Sequence, residues 1–387
     1  MESSNIIIKI HPVLAAIAQE DWNALVKDNN PFLKHEFLSA LEQHQCATQR
    51  FGWIAHHIAI YDDTDLIAAM PVYEKYNSYG EFVFDHAWAD AWQRAGLEYF
   101  PKLVSAVPYT PTQGQRLLTK HSEQYTPTDL QALLWQTLQA LAHQRQASGI
   151  HVLFANDDEQ NWLEQGKDVF TRHDCQFHWH NQDYRTFDDF LMQLTAKKRK
   201  NIRQERKRVQ KAGLTFRVLD GHTATDKDWQ QFNHFYQSTF MEKSGTATLN
   251  EAFFKAVAQD LPNQIVLVMA DQADECIAGA LMYRSDHSLY GRYWGCTKHV
   301  DALHFEACYY QGIEYCIQHG LQHFEPGAQG EHKIARGFIP TLTRSTHWMT
   351  ENPFQHGIEH YVQQEQQAIA DYMEKCMQHS PYRNSST

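Results

Sequence analysis

No window of this 387-residue sequence approaches the ~20 uninterrupted apolar residues that a membrane-spanning helix requires, so no membrane span is expected. A basic leader is missing as well. The opening MESSNIIIKIHPVLAAIAQEDW starts acidic, and Lys9 and His11 interrupt its apolar stretch, which argues against a secretory signal. Cysteine is scarce and unpatterned: the seven residues at 46, 175, 276, 296, 308, 316 and 376 form no CxxC pair, and their number is odd. That argues against a disulfide framework and fits reduced thiols in a cytoplasm. Without export, the sequon Asn384-Ser385-Ser386 carries no meaning. Positive charge is also in deficit, with 34 Lys and Arg against 46 Asp and Glu and a formal net charge of -12.

What is present is ample core material, 43% hydrophobic and 13% aromatic, so disorder is expected only at the ends. The length favours two domains. Twenty-four histidines raise the question of a metal, and HDCQFHWH (173–180) is their densest cluster. Its alternation of Cys175, Phe177 and Trp179 with Gln176, His178 and His180 reads as a half-buried strand with one wet face, and no metal is expected there.

The chain repeats itself. DLIAAMPVYEKYNSYGEFVF (65–84) resembles ECIAGALMYRSDHSLYGRYW (275–294), with Ile67-Ala68 over Ile277-Ala278 and Tyr79-Gly80 over Tyr290-Gly291. Asp21-Trp22 and Asp228-Trp229 each open a helical stretch upstream, and YTPTQGQR (109–116) stands where EPGAQGEHK (325–333) stands in the second copy. Two copies of one unit follow, 1–186 and 187–387, the second opening with a basic helix (187–213) and ending in a C-terminal helix and a disordered tail. In the second copy SLYGRYWGC reads as a strand, ALHFEACYYQGIEYCIQHG as an amphipathic helix closed by Gly320, and LQHFEPG as a returning strand. A strand, crossover helix and strand imply neighbouring parallel strands. The expected fold class is therefore α/β (α+β), built twice, each copy a mixed, partly parallel sheet flanked by helices.

The cations are concentrated. AKKRKNIRQERKRVQKAG (196–213) holds nine Lys or Arg and one acid, Glu205. Thr186 is the expected N-cap, Asp188 and Asp189 suit the first turn, Gly213 closes the helix, and Phe190, Leu191, Leu194, Ile202 and Val209 form a narrow docking stripe. Lys200, Arg203, Lys207 and Lys211 fall on one face, flanked by Arg199 and Arg206. Like charges at this spacing repel, and an ordinary solvated helix mixes both signs. An anionic partner explains the run: a nucleic acid backbone, a nucleotide diphosphate or a cofactor pyrophosphate.

A second candidate is FEPGAQGEHKIARGFIPTLTRSTHW (324–348), which groups Glu325, Gln329, Glu331, His332, Lys333 and Arg336 around three glycines directly after a strand. A carboxylate and an imidazole in mutual reach can deprotonate an amine, and Lys333 and Arg336 can hold an anion. RYWGCT (292–297) approaches the R/Q-x-x-G-x-G/A loop of acetyl-CoA-dependent transferases, with Thr297 where a small residue is expected. The first copy's counterpart loop has Tyr109, Thr112, Gln113 and Arg116 but no carboxylate or histidine, so the second copy is expected to carry the site.

Three stretches, QFHWHNQDYRTFDDFLMQLTAKKRKNIRQERKRV, EYFPKLVSAVPYTPTQGQRLL and HFEPGAQGEHKIARGF, together resemble the FemAB-like predicted N-acyltransferases. That family is a branch of the GNAT acyl-transferase superfamily with two tandem GNAT-type domains, and the likeness covers 20–360. It implies a transferase moving an acyl or aminoacyl group from a donor, acyl-CoA or aminoacyl-tRNA, to a primary amine, with a peptidoglycan-related precursor as one acceptor. The expected partners are a small-molecule or nucleotide-linked amine and tRNA, with no DNA and no metal. From the residues themselves, Glu325 and His332 are the candidate catalytic groups. Arg199, Lys200, Arg203, Lys207, Arg292, Gln329, Lys333 and Arg336 are the candidate binding groups. The competing expectation is a non-catalytic RNA- or nucleotide-binding protein on a degenerate copy of the same fold.

Overall fold

The computed structural model describes residues 5–121, 124–242, 245–328 and 330–383, which divide into two compact units. Unit 1 comprises Met1–Asp174 and Thr343–Ile369, and unit 2 comprises Cys175–Leu342 and Ala370–Thr387. No helix is long and apolar enough to cross a membrane among the described residues.

Unit 1 runs through β1 (Ile6–His11), α1 (Gln19–Ala24), α2 (His35–Gln43), β2 (Trp53–Ala55), β3 (His57–Asp62), β4 (Asp65–Met70) and β5 (Tyr73–Lys75). It continues with α3 (His86–Arg94), β6 (Lys102–Ser105), β7 (Leu118–Thr119), α4 (Pro127–Gln144), β8 (Gly149–Leu153), α5 (Asp157–Leu163) and the start of β9 (Val169–His180). The crossover helix α4 forms where it does because Thr126 and Asp129 make a capping box and Pro127 sits in the first turn. Its Leu130, Leu134, Leu138 and Leu141 recur at helical spacing and pack with Ile58, Ile60, Ile67, Leu103 and Ile150 of the sheets. β6 and β8, which it joins, are parallel.

Unit 2 continues with α6 (Phe187–Gln193), α7 (Ala196–Lys211), β10 (Leu214–Leu219), α8 (Asp226–Glu242), α9 (Glu251–Asp260), β11 (Ile265–Gln272), β12 (Glu275–Arg284) and β13 (Ser288–Cys296). A crossover of α10 (Leu303–Phe305), a π-helical turn (Glu306–Tyr310) and α11 (Gln311–His319) leads to β14 (His323–Glu325), then β15 (Ile339–Met349) and α12 (Gln355–Gln378); of these last two, the Thr343–Ile369 portion belongs to unit 1. β13 and β14 are parallel.

The duplication is visible in the pairing. β1, β3 and β4 form an antiparallel trio as β10, β11 and β12 do. Both hairpins are bulged at matching places, between Ile60 and Tyr61 and between Ala270 and Asp271. In both units a parallel pair follows, and its later strand takes an antiparallel partner: β8 takes Ser345–Met349 of β15, and β14 takes Trp179 and His180 of β9. Each copy thus donates its closing strand to the other unit. That is why the units divide at 174/175 and 342/343 and not by the simple cut at 186/187 expected from sequence. Two matches used to align the copies are not equivalent in topology: Tyr79-Gly80 lies in the 76–85 connection whereas Tyr290-Gly291 lies within β13, and YTPTQGQR follows β6 whereas EPGAQGEHK follows β14. Ile67-Ala68 with Ile277-Ala278, and the two Asp-Trp pairs on α1 and α8, are equivalent.

The basic segment is two helices, not one. Thr186 and Asp189 make the capping box of α6, but Leu194 and Thr195 are extended and α7 starts afresh. The break is satisfied from the C-terminal tail, where Thr195 N–H donates to Pro381 O and Arg383 N–H to Gln193 O. The tail, expected to be disordered, is therefore bound as far as residue 383. In β9 the expected wet face is also covered. Gln176 and His178 are both buried and face each other at 3.2 Å, and burial drives the His178 imidazole down to about 3. Among the described residues, no group of three or more His, Cys, Asp or Glu is placed to hold a metal ion.

Candidate functional site

Parallel strands leave the edge beyond their carboxyl ends open to ligands. In unit 2 the parallel pair covers only Ser288–Tyr290 against His323–Glu325, after which β14 ends and β13 runs on to Cys296. At that point β13 is bulged: Tyr293 faces Leu281 and Gly291 faces Met282, leaving Arg292 as the extra residue. Bulges re-aim side chains and are common beside active sites. The RYWGCT segment is thus strand up to Cys296, and residues 297–302 separate it from the three-residue α10, so it is not a phosphate-binding turn at a helix start. Gly295 is required because a Cβ there would lie 2.1 Å from Phe235 O on α8.

The stretch from Pro326 to Gly337 covers the open end. Glu325 closes β14 and is buried. Gln329 lies outside the described residues. Residues Glu331–Arg336 form a 3-10 helix bounded by Gly330 and Gly337, both with positive φ (110° and 97°) that L side chains rarely adopt. His332 Nε2 lies 2.9 Å from the Tyr309 hydroxyl, and its ring also meets Phe305 and His304. Burial, reinforced by Lys333 and Arg336, holds this imidazole below its ordinary value, so it is neutral at neutral pH. Burial likewise raises the Tyr309 phenol, which keeps its proton and with it the ability to hold the ring.

The two loop cations are engaged by the protein itself. Lys333 is 2% exposed and its Nζ donates to Gly327 O at 2.5 Å and Ala328 O at 3.3 Å, fastening the loop. Burial lowers its ammonium to about 8. Arg336 donates to His332 O and to Glu205 Oε1 at 2.8 Å, and lies over the Phe305 ring. Both therefore shape the loop, whereas an anion clamp was the expectation for them.

The π-helical turn organises this network. π segments recur at functional sites because the extra residue turns side chains out of register. Here Tyr309 reaches His332, Tyr310 OH donates to Glu205, and Glu306 with Glu314 binds Arg206. None of Tyr309, Tyr310 or Glu306 was expected at the site from sequence, where Tyr310 was read only as a face position of an amphipathic helix. Glu205 carried a signal, since a lone acid among nine cations is most simply a partner for something.

The basic helix α7 docks through Ile202 and Val209. Lys200, Arg203 and Lys207 are exposed. Arg203 pairs with Asp188, and Arg199 rests on Met192 Sδ, while Lys200 and Lys207 have no carboxylate partner among the described residues. Arg203, Arg206 and Lys207 form one wall of a groove of about 780 Å³ whose floor includes Leu191, Leu214 and Phe216. Glu306 and Glu314, both bonded to Arg206, also line it, so the groove is electrically mixed.

The corresponding end of the parallel pair in unit 1 is sealed. After β6 the chain returns so that Gly114 bridges Ala155 beyond β8. The Arg116 guanidinium is buried and donates to the carbonyls of Leu153, Gln115 and Thr112. Glu159 accepts the N–H groups of Arg116 and Leu117.

A stability change at one loop cation follows. The Lys333 ammonium is protonated below about 8 in the folded chain and below roughly 10.4 in the unfolded chain. Between those values the unfolded chain binds more protons, so this group makes stability rise with pH. In urea titrations the stability of wild type relative to Lys333→Met increases from pH 7 to 10 by about 2–3 kcal/mol. A pH-independent difference excludes the depressed ammonium.

A family model described as peptidoglycan biosynthesis/recognition, FemAB-like, matches residues 13–384. The chain has no match among curated protein sequences. Among solved structures it resembles FemX (12% identity, 89% of this chain and 98% of that one, TM-score 0.51). It also resembles a conserved protein of unknown function from Bacteroides thetaiotaomicron (10%, 89% and 100%, TM-score 0.53). A third is the C-terminal domain of a putative lysylphosphatidylglycerol synthetase from Agrobacterium fabrum (9%, 87% and 92%, TM-score 0.52). At these identities the likeness shows the fold alone, and the duplicated, mixed α/β architecture expected from sequence accords with it.

Proposed function

Because this chain belongs to the FemAB-like family, we propose that it transfers an acyl or aminoacyl group to a primary amine at the open end of the β13/β14 pair. The observation that carries this reading is the neutral imidazole of His332, held by Tyr309 on a glycine-bounded helix where the parallel strands part. With Nε2–H donated to the Tyr309 oxygen, Nδ1 keeps the lone pair that takes a proton from the incoming ammonium. The amine nitrogen then bonds to the donor carbonyl carbon. The C–S bond of a CoA thioester or the C–O bond of an aminoacyl-tRNA ester breaks, and the leaving group takes a proton. Glu325, at the end of β14, supplies a carboxylate on the strand side of the loop.

Family membership supports a peptidoglycan-related amine as the acceptor, and the exposed α7 cations favour the tRNA ester as donor. The test is incubation of the full chain with labelled aminoacyl-tRNA and, separately, labelled acyl-CoA, with amine acceptors of the peptidoglycan-precursor class. Native mass spectrometry of protein taken from its host reads any co-purifying donor. Label reaching the amine from one donor is expected, and transfer from neither overturns the reading. If tRNA is the donor, changing Lys200, Arg203 and Lys207 together to Ala weakens tRNA binding at least about tenfold and flattens its salt dependence, with little change in Tm. An unchanged affinity in filter binding removes α7 from that role.

A further inference from the structure

A second set of reactive groups lies in unit 1, apart from the loop that carries His332. Thr343, Ser345 and His347 alternate along β15 and therefore share one face of the strand. Ser345 Oγ is 2.8 Å from His347 Nε2, and His347 Nδ1 is 2.7 Å from Nδ1 of His151, its register partner on β8. Two ring nitrogens at that distance share one proton, so one donates and the other accepts. Burial lowers both imidazoles well below their ordinary value and keeps both neutral. When His347 donates its Nδ1–H to His151, its Nε2 accepts the Ser345 hydroxyl proton, the arrangement that activates a serine.

The serine faces a space. Thr343 and Ser345 line a cavity of about 200 Å³ walled by Val83, Phe84, Phe154 and Ile369. Arg172, His173, Asp174, Arg344 and Glu365 also line it, with Arg172 paired to Glu365 at 2.6 Å and Arg344 to Asp157 and Glu164, so the cavity offers both an apolar wall and polar groups, room for a short acyl group. The Thr343 hydroxyl is 2% exposed and has no hydrogen-bond partner among the described residues. A buried hydroxyl left unpaired costs free energy unless a ligand completes it.

We propose that Ser345 is a nucleophile that takes a short acyl group from an activated ester or thioester in this cavity, with His347 as its base and the Thr343 hydroxyl donating to the acyl oxygen. The Ser345 Oγ–carbon bond forms as the carbon–leaving-group bond breaks. The serine proton passes to His347 Nε2 and from there to the departing alkoxide or thiolate. His151 is a positioning residue that fixes which nitrogen of His347 is free.

The test uses the full chain and p-nitrophenyl acetate near neutral pH, with peptide mapping by mass spectrometry. One acetyl group on Ser345 is expected, absent in Ser345→Ala, and formed at least about tenfold more slowly in His347→Gln. His151→Phe slows it as well, and His151→Gln, which retains a hydrogen-bonding side chain, recovers part of the rate. Acetylation confined to lysines in the wild type, or a wild-type rate in folded His347→Gln, overturns the proposal and leaves the His–His–Ser ladder a packing feature. The wild-type map decides even if Ser345→Ala does not fold.

Discussion

His332→Ala transfers the acyl group at least about a hundredfold more slowly than wild type, the range general-base removal commonly gives, while Tm changes little. The imidazole is exposed on one side and its removal opens no core cavity, so a loss of rate is separable from a loss of fold. Tyr309→Phe removes only the hydroxyl that holds the ring. It is expected to give a smaller fall in kcat, because the base survives but its lone pair is no longer aimed. Stopped transfer assays on the two variants, alongside thermal melts, check both statements. Full activity in His332→Ala eliminates the imidazole as the proton acceptor and directs attention to Glu325.

Lys102→Met destabilises unit 1 by about 3–5 kcal/mol, the cost of leaving buried charge without its partner. Lys102 is fully buried, with Glu81 Oε2 at 2.8 Å, Asp85 bonded to the same ammonium, and Ser78 Oγ at 3.2 Å. The Tyr99 hydroxyl donates to Asp85 at 2.6 Å. Burial works against the Asp85 carboxylate, but Lys102 and neighbouring donors outweigh it and hold its pKa below the ordinary range. Burial pushes the Glu81 carboxyl up. The triple change Lys102→Met, Asp85→Asn, Glu81→Gln recovers most of the loss, because it removes the stranded charges along with the cation. Melting curves of the single and triple variants check this, and equal Tm values for the two refute the stranded-charge account. The depressed Asp85 carboxylate adds stability above the ordinary aspartate range that disappears as pH falls through its lowered folded value, so wild type loses that contribution only in strong acid.

Much of unit 2's local structure was legible in advance. Thr186 caps α6, Gly213 and Gly320 close their helices in positive φ, and the strand, crossover helix and parallel strand run where spacing places them. These features depend on near neighbours in the chain, so short-range chemistry suffices to find them. The basic run was equally plain as composition. What it hid was the break at Leu194, because the groups that satisfy that break come from residues 381–383.

The site was legible as a loop and illegible as a network. His332, Lys333 and Arg336 were named from sequence. The partners that decide their chemistry, Tyr309 for His332 and Glu205 for Arg336, lie far from them in sequence. A guanidinium looks the same in sequence whether it awaits a ligand or is tied to a carboxylate. The same holds for His178, whose wet face was inferred from alternation and whose burial came from packing on both sides of β9.

By itself the sequence determined the α/β class, the doubling of the unit, the cationic helix and the loop that carries His332, since hydrophobic period, turn residues and charge runs are written in consecutive positions. Only the tertiary structure decided which copy keeps an open strand end, which cations are already bound and that each unit closes its sheet with the other copy's strand. Those outcomes depend on pairings between residues distant in the chain, where burial and a single proton or carboxylate set the free energy.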